Sequence, residues 1–192
     1  RIEIKQRPGQ KHSPNSQNAV PLFKNITTEI QFDHKHSEKE YDDFETETLL
    51  PHKYSQLGPC LTVADVNADG LDDFYIGGAK NQSGQLYQQD SNGGFRPIST
   101  NTWQADRAHE DTGALFFDCD GDGDQDLYVV SGSNEWNLNS SIYQDRLYVN
   151  MGNGMFEPRK LPKNLSSGSV ARAADFDGDG DLDLFVGGRL VP

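Results

Sequence analysis

Asp118-Cys-Asp-Gly-Asp-Gly-Asp-Gln-Asp126 places an aspartate at every odd position, and the same nine-residue frame occurs twice more. Asp65-Val-Asn-Ala-Asp-Gly-Leu-Asp-Asp73 precedes it and Asp175-Phe-Asp-Gly-Asp-Gly-Asp-Leu-Asp183 follows it, without gaps, at spacings of 53 and 57 residues. A repeat of this length points to an array of small structural units and takes precedence over any local reading. Each frame is preceded by small apolar residues (Leu61 to Ala64, Ala114 to Phe117, Val170 to Ala174). Each is followed by β-favouring residues and glycine: Phe74-Tyr-Ile-Gly-Gly78, Leu127-Tyr-Val-Val-Ser-Gly132 and Leu184-Phe-Val-Gly-Gly188. The unit therefore reads as strand, acidic loop, strand.

A second hairpin follows in the first two repeats. Leu86-Tyr87 and Leu147-Tyr148 lead to Asn92-Gly93 and Asn153-Gly154, then to Phe95 and Phe156. Asn-Gly between apolar runs is a strong hairpin signal, because both residues tolerate positive φ. Four strands per repeat joined by short connections predict an all-β chain built of β-propeller blades, each a four-stranded antiparallel sheet. The expected organisation is 1–19 a linker or the end of a preceding domain, and 20–28 the last strand of a preceding blade. Residues 29–58 read as an insertion, 59–100 and 101–160 as whole blades, and 161–192 as the start of the next. The strand at 20–28 rests on the likeness of Phe23-Lys-Asn-Ile-Thr-Thr28 to Phe95-Arg-Pro-Ile-Ser-Thr100. Closed propellers need about 4 to 8 blades, so a fragment of a longer propeller is expected.

The loops have the composition of calcium sites. Positions 1, 3, 5 and 9 carry oxygen side chains: Asp65, Asn67, Asp69, Asp73; Asp118, Asp120, Asp122, Asp126; Asp175, Asp177, Asp179, Asp183. Gly70, Gly123 and Gly180 at position 6 permit the positive-φ turn that wraps such a loop, and the backbone carbonyl of Leu71, Asp124 or Asp181 at position 7 can complete the shell. Hard oxygen donors on an adaptable loop suit Ca²⁺, at about three sites, and exclude zinc-type chemistry. An EF-hand is excluded because position 12 is Ile76, Val129 or Val186 and lies in a strand. Plain Asp/Gly turns without metal are the competing reading, opposed by three matching copies. The first loop, with Asn67, is expected to be the weakest site.

Composition narrows the partners. With 17 Lys+Arg against 30 Asp+Glu the formal charge is −13, a field that repels nucleic acid and anionic lipid. No apolar run approaches a membrane span, and Arg1 to Gln10 lacks the apolar core of a signal peptide. A removed export signal and a fragment both account for a start at Arg1. Cys60 and Cys119 are too few for a disulfide scaffold and wrongly spaced for zinc. Cys119 shares its loop position with Val66 and Phe176, which suits a small apolar residue.

D-x-[DN]-x-D-G-x-x-D between strands, followed by Gly-Gly and Leu-Tyr-x-Asn-x-Gly-x-Gly-x-Phe, resembles the FG-GAP/VCBS repeats, which integrin α-chains share. Phe44, Leu49-Leu50-Pro51-His52, Gly58-Pro59 and Tyr143-Gln-Asp-Arg-Leu-Tyr148 are similar to the cartilage acidic protein and UnbV-type bacterial proteins. The resemblance covers about residues 20 to 192. It implies a secreted or surface-anchored seven-bladed propeller, a family for which no general catalytic activity is established. Gly77-Gly78-Ala79 is only a partial match to the Phe-Gly…Gly-Ala-Pro signature, so integrin-like ligand binding does not carry over.

Other candidates have weaker patterns. The 29–58 insertion holds His34, His36, Glu40, Tyr41, Asp42, Asp43 and His52; no third metal ligand is fixed by spacing, so it reads as a solvated insertion and no metal is assigned. Glu135, Trp136 and Asn137 lie in a long outer loop, where the tryptophan can stack on a sugar, grip a protein or pack on a neighbouring blade. Trp103, between blades, is expected in the core. Sequons occur at Asn25, Asn81, Asn139 and Asn164. His109-Glu110-Asp111 has no nucleophile at a catalytic spacing, and no hydrolase, metalloprotease or phosphate-loop motif is present. The expected function is a calcium-loaded module that binds a protein or glycan outside the cell. The alternatives are part of a propeller enzyme acting on polysaccharide, or a structural subunit of a bacterial surface assembly.

Overall fold

Leu127, Tyr128, Val129 and Val130 follow the second acidic loop without a polar break, the pattern of a strand covered on both faces. In the computed structural model, which describes residues 23–30, 32–98 and 101–188, every residue of β6 (Asp126–Ser131) is buried. Before it come β1 (Leu61–Ala64), β2 (Asp73–Ile76), β3 (Gln85–Gln89), β4 (Phe95–Ile98) and β5 (Asp111–Phe117). After it come β7 (Arg146–Asn150), β8 (Phe156–Arg159), β9 (Gly168–Ala174) and β10 (Asp183–Gly188). They form two four-stranded antiparallel sheets, β1-β2-β3-β4 and β5-β6-β7-β8, and a β9-β10 hairpin. The all-β fold of four-stranded blades read from the repeat is the observed one. The Asn-Gly turns are present, with Asn153 and Gly154 at φ 55° and 72°.

The second blade is packed on both faces because alternate residues point opposite ways. Leu127, Val129, Tyr148, Phe116 and Phe156 form one cluster with Val66, Tyr75 and Leu86 of the first blade. Tyr128, Val130, Leu147, Val149 and Phe117 form a second cluster with Ala171, against which Ala173, Leu184 and Val186 pack. Trp103 joins the first cluster from the short helix α2 (Asn101–Ala105), with its ring centroid 4.8 Å from that of Tyr148. Blade contact is also polar. The Tyr75 hydroxyl and the Gly78 amide donate to Asp111 Oδ2 at 2.9 and 2.8 Å, and the Arg146 guanidinium holds the other oxygen. Asp111 is 3% exposed, so this three-part network is sealed from water between the blades.

Before the first blade, residues 23–30 carry no strand: the Glu29 and Ile30 amides donate to the Ile26 carbonyl, a local turn, and Phe23 is exposed. The earlier residues, 1–22, lie outside the described residues. The 29–58 insertion is a largely exposed strap, docked on the blades at several points. Phe32 stands edge-on to Phe74 and Tyr87, and His34 Nδ1 is 3.0 Å from the Tyr87 hydroxyl. Ser37 and Lys35 exchange hydrogen bonds with the Gln82 side chain, while Tyr41 and Glu47 reach Asn134 of the second blade. Asp43, at the first turn of the short helix α1 (Asp43–Thr46), accepts from the Tyr54 and Ser55 amides and closes the strap on itself.

Glu110 is 6% exposed, and its carboxylate accepts from the Lys80 amide at 2.7 Å. The Lys80 ammonium is instead 2.7 Å from Glu135 and 4.6 Å above the Trp136 ring. Trp136 thus packs on a first-blade residue. Desolvation, with the nearby charges of Glu38, Glu135 and Asp111, pushes the Glu110 carboxyl up to about 8. A carboxyl raised on folding stabilises fully below its unfolded value near 4.5 and loses that contribution as pH rises through 8. The melting temperature is therefore expected to fall between these limits, and Glu110→Gln to flatten the profile. Parallel profiles for the two proteins would show that folding does not raise the Glu110 carboxyl.

Candidate metal centres

All three acidic loops fold alike, and side-chain-to-amide bonds dictate the wrap. The position 1 carboxylate caps the loop from inside: Asp65 accepts from the Asp69 and Gly70 amides, Asp118 from Gly121 and Gly123, and Asp175 from Gly178 and Gly180. The position 5 carboxylate accepts from the amide of position 7, so Asp69, Asp122 and Asp179 hold Leu71, Asp124 and Asp181 at 2.9 Å each. Gly70, Gly123 and Gly180 have φ of 84°, 93° and 97°, as the turn expected at position 6 requires. Position 4 is also left-handed, at Gly121, Gly178 and Ala68, which the spacing of acidic residues did not reveal. Two glycines in three copies were the available signal. Ala68, at φ 58°, carries the Cβ strain of that region, so Ala68→Gly is expected to stabilise the chain by about 0.5–1 kcal/mol in denaturant unfolding.

Position 9 has a second task. Asp73 and Asp126 are wholly buried, and each clamps its loop to a neighbouring strand. Asp73 accepts from the Val66 and Gln89 amides at 3.2 and 2.8 Å, and Asp126 from Cys119 and Asn150 at 2.8 and 2.7 Å. Asp183 accepts from Phe176 at 3.0 Å and is exposed. A carboxylate has about four lone-pair sites, so an amide on each oxygen still leaves acceptor capacity for a cation. Asn150 also donates to the Val66 carbonyl at 2.7 Å, which ties the first loop to the second blade.

The carboxylates converge to different degrees. Asp118, Asp120 and Asp122 present oxygens within 4.8 Å of one another, as do Asp175, Asp177 and Asp183; Cys119 lies in a similar group with Asp120 and Asp126. In the first loop the Asn67 amide nitrogen donates to Asp69 at 2.9 Å, so its carboxamide bridges the turn where the other loops crowd charge. In the second loop, desolvation and the charges of Asp122 and Asp126 push Asp120 up, with Arg159 at 3.6 Å partly offsetting them. Asp118 is held low, since the amides of Gly121, Gly123, Asp122 and Asp120 outweigh its desolvation. Hard, converging oxygens that repel one another are the donor set a divalent hard cation neutralises, so the residues fit calcium. Both thiols are free; burial pushes Cys60 and Cys119 up to about 12, which keeps them neutral.

An FG-GAP-like repeat model matches residues 65–129 and again 118–186, each match running from one acidic loop past the next. The chain belongs to the FG-GAP-like repeat family. No curated protein shows significant similarity to it. No helix among the described residues is long and apolar enough to cross a membrane. The sequons at Asn25, Asn81, Asn139 and Asn164 are all exposed.

Proposed function

We propose that the chain is a calcium-binding module of an extracellular or cell-surface propeller that presents loops to a protein or glycan. The observation that carries this reading is the threefold recurrence of one loop geometry, with converging carboxylates in the second and third copies. Each loop holds one Ca²⁺ through positions 1, 3, 5 and 9 and the position 7 carbonyl. The ion neutralises the carboxylates and fixes the two strands that flank each loop. Relationship to the cartilage acidic protein and UnbV-type proteins, and a seven-bladed ring, belong to the same proposal.

Extracellular modules bind calcium at about 10⁻⁴ to 10⁻³ M, a range filled outside cells and empty in a cytosol. Isothermal titration of the chain with calcium is expected to give dissociation constants there, and Asn67→Ala to affect its site least. Ligand binding is tested by displaying the protein to glycan and surface-protein arrays with calcium and with chelator. Calcium-dependent capture of a ligand supports the module reading. Turnover of a polysaccharide by the same preparation would replace it with an enzyme.

A further inference from the structure

Asn150, the last residue of β7, uses its polar groups to join two acidic loops. Its backbone amide donates to Asp126 Oδ1 at 2.7 Å, which is position 9 of the second loop. Its carboxamide nitrogen donates to the Val66 carbonyl of the first loop at 2.7 Å and to the Gln125 carbonyl of the second at 3.3 Å. The Gly152 amide donates to its Oδ1 at 3.1 Å, and because an amide N–H only donates, that bond fixes which way the carboxamide points. Val66 in turn gives its own amide to Asp73 Oδ2, position 9 of the first loop, at 3.2 Å. Asp73, Val66, Asn150 and Asp126 therefore form one hydrogen-bonded run between the two loops, and none is more than 2% exposed. Water cannot replace a bond lost inside such a run, so its two ends are held to each other. In the first blade the matching residue, Gln89, gives the same backbone bond to Asp73, so the side-chain bridge to a neighbouring loop is what Asn150 adds. The third loop offers an internal reference: Phe176 at its position 2 is 91% exposed, and Asp183 accepts from Phe176 within the same loop.

We infer that Asn150 couples the first and second loops, so that calcium in either one raises the affinity of the other; this rests on the calcium reading proposed above. An ion in the second loop orders Asp126 and with it Asn150. Asn150 then holds the Val66 carbonyl, and the Val66 amide keeps Asp73 aimed at the first loop. The next ion meets a position 9 ligand that is already ordered and loses less conformational entropy on binding. Linkage makes the effect reciprocal, with the same factor in both directions. Asn150 is a positioning residue, since it acts on the ions through Asp126 and Asp73.

The test is a calcium titration of the full chain followed site by site in nitrogen-15 spectra, where the amides of Gly70, Gly123 and Gly180 report on the three loops. Disabling the second loop with Asp118→Ala and Asp122→Ala is expected to weaken calcium at Gly70 by about 5-fold, the lower end of ordinary coupling between sites, and to leave Gly180 unchanged. Disabling the first with Asp65→Ala and Asp69→Ala should weaken Gly123 by the same factor. In an Asn150→Ala background the first loop should titrate alike whether or not the second is disabled, whereas a purely structural role would weaken both loops and preserve their coupling. Should Asn150→Ala not fold, the Asn150 carboxamide resonances decide: they are expected to shift when calcium fills the first loop alone, in the chain with Asp118 and Asp122 replaced. Absence of that shift, equal Gly70 titrations with and without the second loop, or coupling that survives Asn150→Ala would overturn the proposal and leave the calcium reading standing. Loops that take up no calcium at all would overturn both.

Discussion

Removing calcium from protein held at about 10 mM calcium is expected to lower the melting temperature by at least about 8 °C, and restoring it to return the original curve. That concentration is about 10 to 100 times dissociation constants of 10⁻⁴ to 10⁻³ M, which adds about 1.4 to 2.7 kcal/mol per site to stability, hence about 4 to 8 kcal/mol for three sites. A chain of this length shifts by about 2–4 °C per kcal/mol. The second loop is the reason a structural role is expected of the ion: two unit charges ~4 Å apart repel by ~4 kcal/mol at an effective dielectric constant of 20. Its cluster of Asp118, Asp120 and Asp122 sits between β5 and β6, and β6 has no exposed residue. Opening that loop therefore strains the most buried strand among the described residues. Asp122→Ala should cost about one site, and Asn67→Ala less, since Asn67 brings no charge and the first loop is also held by Asn150. Melting curves that coincide with and without chelator, after elemental analysis confirms that metal is gone, would refute a structural role.

Asp111→Ala is expected to cost about 3–5 kcal/mol, because it leaves the Arg146 guanidinium buried without its partner. It also strips the Tyr75 hydroxyl and the Gly78 amide of their acceptor, so the loss falls on the contact between the first two blades. Urea unfolding measures it. A double variant, Asp111→Leu with Arg146→Met, should recover part of the loss, since an apolar pair carries no desolvation cost. A loss below about 1 kcal/mol in the single variant would show that the network contributes little to the joint.

The loops and the blades were legible in the sequence because their causes are local. β-favouring runs beside the loops, Asn-Gly turns and the position 6 glycines act within a dozen residues, and Asp118 reaches no farther than Gly123 to cap its loop. What spacing hid was long-range. His34 meets Tyr87 across 53 positions and Tyr41 meets Asn134 across 93, so the docking points of the strap were not legible. The buried position 9 aspartates were read as ligands alone, because their clamping of Gln89 and Asn150 depends on strand register. Asp111 and Glu110 appeared as an ordinary polar run, and only the packing of the two blades and the strap reveals that they are sealed.

The central claim is that the three acidic loops are calcium sites, and bound calcium per chain tests it most directly. Equilibrium dialysis at about 10 mM calcium, which nearly fills sites with dissociation constants of 10⁻⁴ to 10⁻³ M, with the protein's metal content read by elemental analysis, is expected to give close to three ions per chain. Replacing Asp118 and Asp122 together with alanine should reduce this to two and leave the other sites filled. A chain that retains no calcium under these conditions, or one whose calcium content is unchanged by that replacement, would contradict the account.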